Sequence, residues 1–311
     1  MSPVTETQVY QELRPLMFSI AYRMLGSVAD AEDIIQEAFL RYHRSISDGT
    51  DIDSPKAFLS AVTTRLSIDQ LRSARVRRES YLGPWLPEPL LADQLAPDPG
   101  QRAEDADSLS MAFLLLLERL TPVERAAFLL RDVFGYEYGE IAGIISKSEA
   151  NTRQLAARAR RHVTENRPRF ATSREQRDAL AGRFFDAIGD GDIDALVQML
   201  ADDVVVYGDG GGTGPSWLRP IEGAASVGRL LAGVIRDFQQ IGVTIRRVQI
   251  NGQPGALVLD PDGQLINVLC LDISRGAVQV IRSVINHDKL QHLGPLADLR
   301  ELQRQRGRRD G

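Results

Sequence analysis

The sequence predicts a multidomain chain in which two all-α modules are followed by an α+β domain. Three observations carry that reading. Apolar residues recur every three or four positions from Val9 to about residue 75, and again from about Ala103 to Pro168, which is the period of a helix face. Between these stretches Pro84, Pro87, Pro89, Pro97 and Pro99 remove helix donors and fix φ, as in a linker. After Pro168 the pattern turns to short strand-like runs separated by turn signals. A length of 311 residues that are 43% hydrophobic and 25% charged suits about two ordinary domains with sizeable cores, and argues against disorder.

Each element has its own signal. The first helix carries Val9, Leu13, Leu16, Met17, Ile20 and Met24 on one stripe and stops near Gly26. The second runs from about Ala29 to Arg44, with Ile34, Ile35, Ala38, Phe39 and Tyr42 inward and Asp30, Asp33 and Glu37 on the other side. Asp51–Ser54 before Pro55 caps a third helix, which presents Phe58, Leu59, Val62, Leu66, Ile68 and Leu71. Within the linker Trp85-Leu86-Pro87-Glu88-Pro89 is apolar and stiff, so it reads as a docking peptide, and Leu86 alone would forgo about 1.5–3 kcal/mol if left in water. Thr121-Pro122-Val123-Glu124 opens a capped helix that continues through Phe128, Leu129 and Val133 to Gly135. Tyr138–Ile145 is a short helix, Ser146-Lys147-Ser148 a tight turn, and Ser148 caps a longer helix to about Val163: together, a helix-turn-helix. Beyond it, two short helices near Arg174–Ile188 and Asp192–Leu200 precede strands near Val204–Tyr207, Val243–Ile250, Ala256–Leu259, Leu265–Ile273 and Ala277–Ile285. The turns Asn251-Gly252, Pro261-Asp262-Gly263 and Arg275-Gly276 make the last four an antiparallel meander. Leu302–Gly311, with four arginines, reads as a mobile tail.

Composition also sets aside several functions. The longest apolar run in a helical stretch, Met111–Leu117, falls far short of the ~20 residues of a membrane span, and the N-terminus lacks the charged-then-apolar pattern of a secretory signal, so a cytoplasmic protein with no membrane partner is expected. Cys270 is the one cysteine; its neighbours Leu269 and Leu271 mark it as a small buried hydrophobe. His43, His162, His287 and His292 do not fall at metal-ligand spacings, and no phosphate-binding glycine motif is present, so no metal, cofactor or nucleotide chemistry is expected.

The formal net charge is −5, yet two compact basic patches stand out of this acidic chain. Arg65, Arg72, Arg75, Arg77 and Arg78 lie in one window against Asp69 alone, and Arg153, Arg158, Arg160 and Arg161 in another against Glu149. A solvated helix face is the other reading of either patch. In the helix-turn-helix the last helix can enter a major groove with Ser148, Glu149, Asn151, Thr152, Arg153 and Gln154 at base edges, Asn and Gln suiting adenine and Arg suiting guanine. Arg158, Arg160 and Arg161 are farther along, where phosphates lie.

Asp30-Ala31-Glu32-Asp33-Ile34-Ile35-Gln36-Glu37-Ala38-Phe39, the Asp69-Gln70-Leu71-Arg72 end of the basic helix and the helix-turn-helix together resemble the extracytoplasmic-function class of bacterial RNA polymerase sigma factors, over roughly Val9–Val163. The remaining ~140 residues are a departure from the usual two-domain form. There Phe184-Phe185-x-Ala-Ile-x-x-Gly-Asp and the strand meander resemble the SnoaL-like branch of the NTF2-like folds, a cone of helices over a curved sheet. Trp85–Pro89, Asp209–Gly212 and Asn286-His287-Asp288-Lys289 match the sigma-J-like subgroup, which joins such a domain to the sigma core.

The resemblance implies sigma region 2 over 5–80, a linker over 81–103, a helix-turn-helix sigma region 4 over 104–168, a SnoaL-like regulatory domain over 172–292 and a tail over 293–311. It implies that Asp30, Asp33, Gln36 and Glu37 bind the β′ clamp helices of core RNA polymerase, which is engaged also through its β subunit. It implies that Arg65, Asp69, Arg72 and Arg75 hold the promoter −10 element, and that Ser148, Asn151, Thr152, Arg153, Gln154, Arg158 and Arg161 bind the −35 element. Trp85, Leu86, Pro87 and the loop Asp209, Gly210, Gly211 and Gly212 are the candidate contacts between linker and added domain. The implied function is promoter-specific transcription initiation, regulated in cis and without catalysis. A helix-turn-helix regulator acting without polymerase is the runner-up. Asp209, His287 and Asp288 leave open a cyclase-like role or a small-molecule ligand in the C-terminal domain.

Overall fold

A computed structural model describes residues 6–79, 81–91, 108–166, 172–212 and 218–298, with the side chains of 74–79 outside the description. The expected linker stretch 92–103 and the tail from 299 onward lie outside the described residues.

The helices form where their apolar periods and caps place them. Helix α1 (Glu6–Leu25) buries Val9, Met17, Ile20 and Met24 from the expected stripe. Ser27 accepts from the Asp30 amide at 3.1 Å and so starts α2 (Val28–Ser47), which buries Ile34, Ile35, Ala38 and Tyr42. Ser54 accepts from the Ala57 amide at 3.2 Å and starts α3 (Pro55–Glu79). The inner side of α3 is polar at Ser60, Thr63, Thr64 and Ser67, all fully buried. Three of these hydroxyls find partners: Thr63 donates to the Met17 sulfur, Ser67 to the Thr63 carbonyl, and Ser60 shares a 2.6 Å bond with the Tyr136 hydroxyl, while that of Thr64 makes no hydrogen bond among the described residues.

After α4 (Met111–Leu117), Thr121 and Glu124 close a capping box on α5 (Pro122–Phe128), which runs on as one π turn, Leu129–Val133. Helix α6 (Tyr138–Ile145), Ser146 in the left-handed region at φ 54°, and α7 (Glu149–Asn166) complete the helix-turn-helix. The two expected all-α modules are not separate bodies. Residues 1–80 and 113–167 make one unit, while 81–112 group with 168–311 in a second, so the described part of the linker belongs to the α+β unit.

That second unit contains α8 (Arg174–Asp190), α9 (Ile193–Met199), β1 (Leu200–Asp209), β2 (Ile221–Glu222), α10 (Ala224–Ile241), β3 (Thr244–Ile250), β4 (Gln253–Leu259), β5 (Leu265–Ser274) and β6 (Ala277–Val284). The sheet order is β2-β1-β6-β5-β4-β3; the last four strands form the expected antiparallel meander, and β1 closes onto β6 in parallel. Phe184, Leu196, Val227, Leu231 and Ile235 from the three helices meet Val204, Val206, Ala256, Val258, Leu271, Ile273, Val278 and Ile281 in one core. Helix α10 is an addition to the expected two helices. Gly228 and Gly233 lie inside it, each unfavourable by about 1 kcal/mol relative to Ala, which weakens the sequence signal. Gly228 has a packing reason, because a Cβ there would stand 2.9 Å from the Val197 side chain of α9.

Candidate nucleic-acid interface and linker anchor

The acidic side of α2 is presented much as its spacing suggests. Asp33 and Gln36 are exposed, Glu37 pairs with Arg41 at 2.7 Å, and Leu40 follows at 48% exposure, so the outer stripe joins carboxylates to an uncovered apolar side chain. The Arg41 hydrogen bond and charge hold the Glu37 carboxyl below its usual range. Asp30 differs: it is partly buried and accepts from Gln70 Nε2 at 3.1 Å.

The basic patch on α3 is split by its contacts. Arg72 is exposed and bridges Asp69 at 3.1 Å. Arg65, also exposed at the level of the residue, donates to the carbonyls of Gly143 and Ile144, each at 2.8 Å. These are orphan acceptors of the last turn of α6, where the helix dipole favours a cation. Arg75 lies where side chains are outside the described residues. A second arginine ties the same unit together: Arg125, 3% exposed, donates to the Met24 carbonyl at 2.5 Å and pairs with Glu118 at 2.9 Å. Burial pushes its pKa down.

At the start of α7 the Ser148 hydroxyl accepts from the Asn151 amide at 3.3 Å, as the cap requires. Asn151, Arg153, Gln154, Arg158 and Arg161 are exposed along the helix. Thr152 departs from the expected base-reading set, for it is fully buried and donates its hydroxyl to the Ser148 carbonyl at 3.0 Å. The 3.6-residue period turns position 152 inward with Leu155, Ala156 and Ala159. Arg153 pairs with Glu149 at 2.5 Å, Arg158 with Glu124 at 3.2 Å and Arg160 with Asp132 at 2.7 Å. Arg153 and Arg131 also lie over the Tyr138 ring, 4.5 and 4.8 Å from its centroid.

The α+β unit holds the linker through Asp209, which is fully buried at the end of β1. One carboxylate oxygen accepts from the Tyr81 hydroxyl and from the Gly211 amide at 3.2 Å. The other accepts from the Leu86 amide at 2.8 Å and from Lys289 Nζ at 2.7 Å. Lys289 also donates to the Leu86 carbonyl at 2.5 Å and stands 4.4 Å from the Trp85 ring centroid and 5.0 Å from that of Tyr81. Burial and the Asp209 hydrogen bond raise the Tyr81 phenol pKa. Asn286 donates to the Tyr81 hydroxyl at 3.0 Å, and Gly211, at φ 63°, passes so close that a Cβ would stand 2.5 Å from the Asn286 amide. Gly212, at φ 75°, passes Leu82 in the same way at 3.1 Å. Thus Trp85, Leu86, Asp209 and the glycine loop come together, while Leu86 is 1% exposed and Pro87 is buried.

A second fastening lies at the β3–β4 turn. Asn251 and Gly252 both have positive φ, and fully buried Asn251 accepts from the Leu90 amide at 3.0 Å while its own amide donates to the Leu90 carbonyl at 2.8 Å. Its side-chain nitrogen donates to the Leu109 carbonyl at 3.0 Å. Sequence reasoning assigns no contact to Tyr81, Lys289, Asn251, Arg125 or Tyr138; of these, Lys289 carried a signal as the last residue of the Asn286–Lys289 string, and Asn251 one only as a turn residue. His287 and Asp288 instead form a short 3-10 turn capped by Asn286. Cys270 is buried and its thiol pKa is raised by that burial. Among the described residues there is no cluster suited to a metal ion, and no described helix is long and apolar enough to cross a membrane.

Comparison with known proteins covers nearly the whole chain. Sigma-70 region 2 matches residues 9–77, Sigma-70 region 4 matches 110–163, and the SnoaL-like domain matches 181–282. The chain is 35% identical to the ECF RNA polymerase sigma factor SigJ of Mycobacterium tuberculosis, over 97% of this chain and 98% of that one. It is 32% identical to the probable ECF RNA polymerase sigma factor SigI of the same organism, over 90% and 93%. The crystal structure of M. tuberculosis SigJ superposes with a TM-score of 0.72 at 34% identity, covering 94% of this chain and all of that one.

Proposed function

The chain belongs to the extracytoplasmic-function RNA polymerase sigma factors, which bind core polymerase and direct promoter-specific initiation, and we propose how its surfaces divide that work. Asp33, Gln36, Glu37 and Leu40 on α2, with Asp30 at their edge, are the face for the β′ clamp helices; the carboxylates pair with cations and Leu40 adds apolar contact. Contacts to the β subunit belong to other parts of the helical unit. The α3 patch, Arg65, Asp69, Arg72 and Arg75, takes the −10 strand. On α7, Asn151, Arg153 and Gln154 read −35 bases, Ser148 fixes the helix start, and Arg158 and Arg161 bind phosphates. Sequence discrimination by Arg153 against a guanine is then worth about 1–3 kcal/mol.

The added domain regulates in cis by gripping the linker. One observation carries this: the buried Asp209 carboxylate spends both oxygens on Tyr81, Leu86, Gly211 and Lys289. A residue so engaged has no lone pair aimed at a substrate, which favours an anchor over a cyclase acid and a protein with no catalysis of its own. Both readers sit in one compact unit, so holding residues 81–91 restrains how far α3 and the helices after residue 112 can part to meet a promoter.

In vitro transcription with core polymerase tests the reading. Trp85→Ala and Tyr81→Phe each loosen the anchor and are expected to raise promoter-dependent transcription. The double variant should rise no further than the larger single effect, because both break one interface. Independent, multiplying effects, or a fall in transcription, would count against an inhibitory grip.

A further inference from the structure

Helix α6 opens with Tyr138, a residue that none of the readings above uses, and it is where the charges of the helix-turn-helix converge. The guanidiniums of Arg131 and Arg153 lie over its ring. Each of these arginines has its own carboxylate, Glu137 at 3.1 Å for Arg131 and Glu149 at 2.5 Å for Arg153, so two cations share one ring with their charges balanced.

We propose that Tyr138 is a positioning residue for promoter specificity, holding the Arg153 guanidinium in the orientation that reads one base of the −35 element. The inference rests on the proposal that α7 is the reading helix. An arginine side chain has four rotatable bonds, and discrimination between bases needs its planar fork at one angle. On a helix the Cα–Cβ bond leans toward the N-terminus, which sends Arg153 toward Glu149 and the end of α7 that faces bases. There the Tyr138 ring, negative on its face, and the Glu149 carboxylate limit where the fork can go. Arg158 and Arg161 lie farther along the helix and need no such orientation, since a phosphate accepts a cation from many directions.

A stacked cation at a partly exposed site is worth roughly two- to five-fold in an equilibrium constant, against roughly five- to 150-fold for a whole bidentate base contact. Losing the ring should therefore blunt base choice without abolishing it. The experiment uses the full chain with core polymerase on a template library randomised across the −35 element, with the transcripts sequenced. Arg153→Ala should flatten the preference at one position. Tyr138→Leu should flatten that same position by roughly two- to five-fold and leave the others as they are. Tyr138→Phe, which keeps the ring, should retain the preference, and Tyr138→Leu with Arg153→Ala should be no flatter than Arg153→Ala alone.

If Arg153→Ala flattens a position and Tyr138→Leu does not, or if Tyr138→Leu lowers every template alike, Tyr138 is no positioning residue although α7 still reads. Loss of the preference in Tyr138→Phe likewise overturns the role of the ring. If Arg153→Ala changes no position, the reading helix itself is misassigned and the inference falls with it.

Discussion

A cation grips main-chain oxygens in each of the two units, and the surroundings differ. In the helical unit Arg65 reaches the Gly143 and Ile144 carbonyls from an exposed position on α3. In the α+β unit Lys289 reaches the Leu86 carbonyl with its side chain 8% exposed, beside an Asp209 side chain at 0%. Arg65 can leave its carbonyls and recover its hydration, so a nucleic-acid phosphate can replace them at little cost. Lys289 cannot leave without stranding a buried carboxylate. The contact nearest the proposed DNA face is thus exchangeable and the linker contact is fixed.

The comparison breaks most visibly at Lys289. Lys289→Met removes one partner of a buried pair, which costs about 3–5 kcal/mol, and denaturant unfolding of the α+β unit should show it. Adding Asp209→Asn should restore part of the loss, since no bare charge then remains. A null result at Lys289 would mean that water reaches Asp209. Leu86→Ala sharpens the same side: a fully buried leucine truncated to alanine costs about 2–5 kcal/mol, read as earlier hydrogen exchange at residues 86–91. Arg65→Ala should change stability by at most about 1 kcal/mol, in thermal melts of the full chain. A larger loss there would make the two grips alike. The smallest effect on folding is expected at exposed Asp33: Asp33→Arg should leave the melting transition unchanged while core polymerase subunits no longer co-purify with it.

Much of this was legible in the sequence, for reasons that particular residues make plain. Ser54, Thr121 and Ser148 announce helix starts because a side-chain oxygen beside orphan amides does the same thing in any fold. The meander could be read because its turn residues adopt positive φ at Asn251, Gly252, Gly263, Arg275 and Gly276. Leu86 announced a docking surface by being apolar where no local core existed. What stayed hidden depends on contacts far apart in the chain. The parallel closure of β1 on β6, the Arg65 cap on α6 and the burial of Arg125 each join distant segments, and no local pattern marks them. Thr152 misleads because its side chain suits base contact while the helix period turns it inward.

The anchor also has a schedule. Lys289 and Leu86 stand 203 positions apart, and β1, which carries Asp209, must pair with β6 near the end of the domain. The helical unit, by contrast, has all its described residues once Asn166 has been made. At synthesis rates of about 5–20 residues per second, roughly 6–25 seconds separate Asn166 from Lys289. For that interval a nascent chain holds the helices we propose for polymerase and promoter with the linker still ungripped, so on that proposal restraint arrives last in each molecule's history and a ribosome that stalls before Lys289 leaves it off.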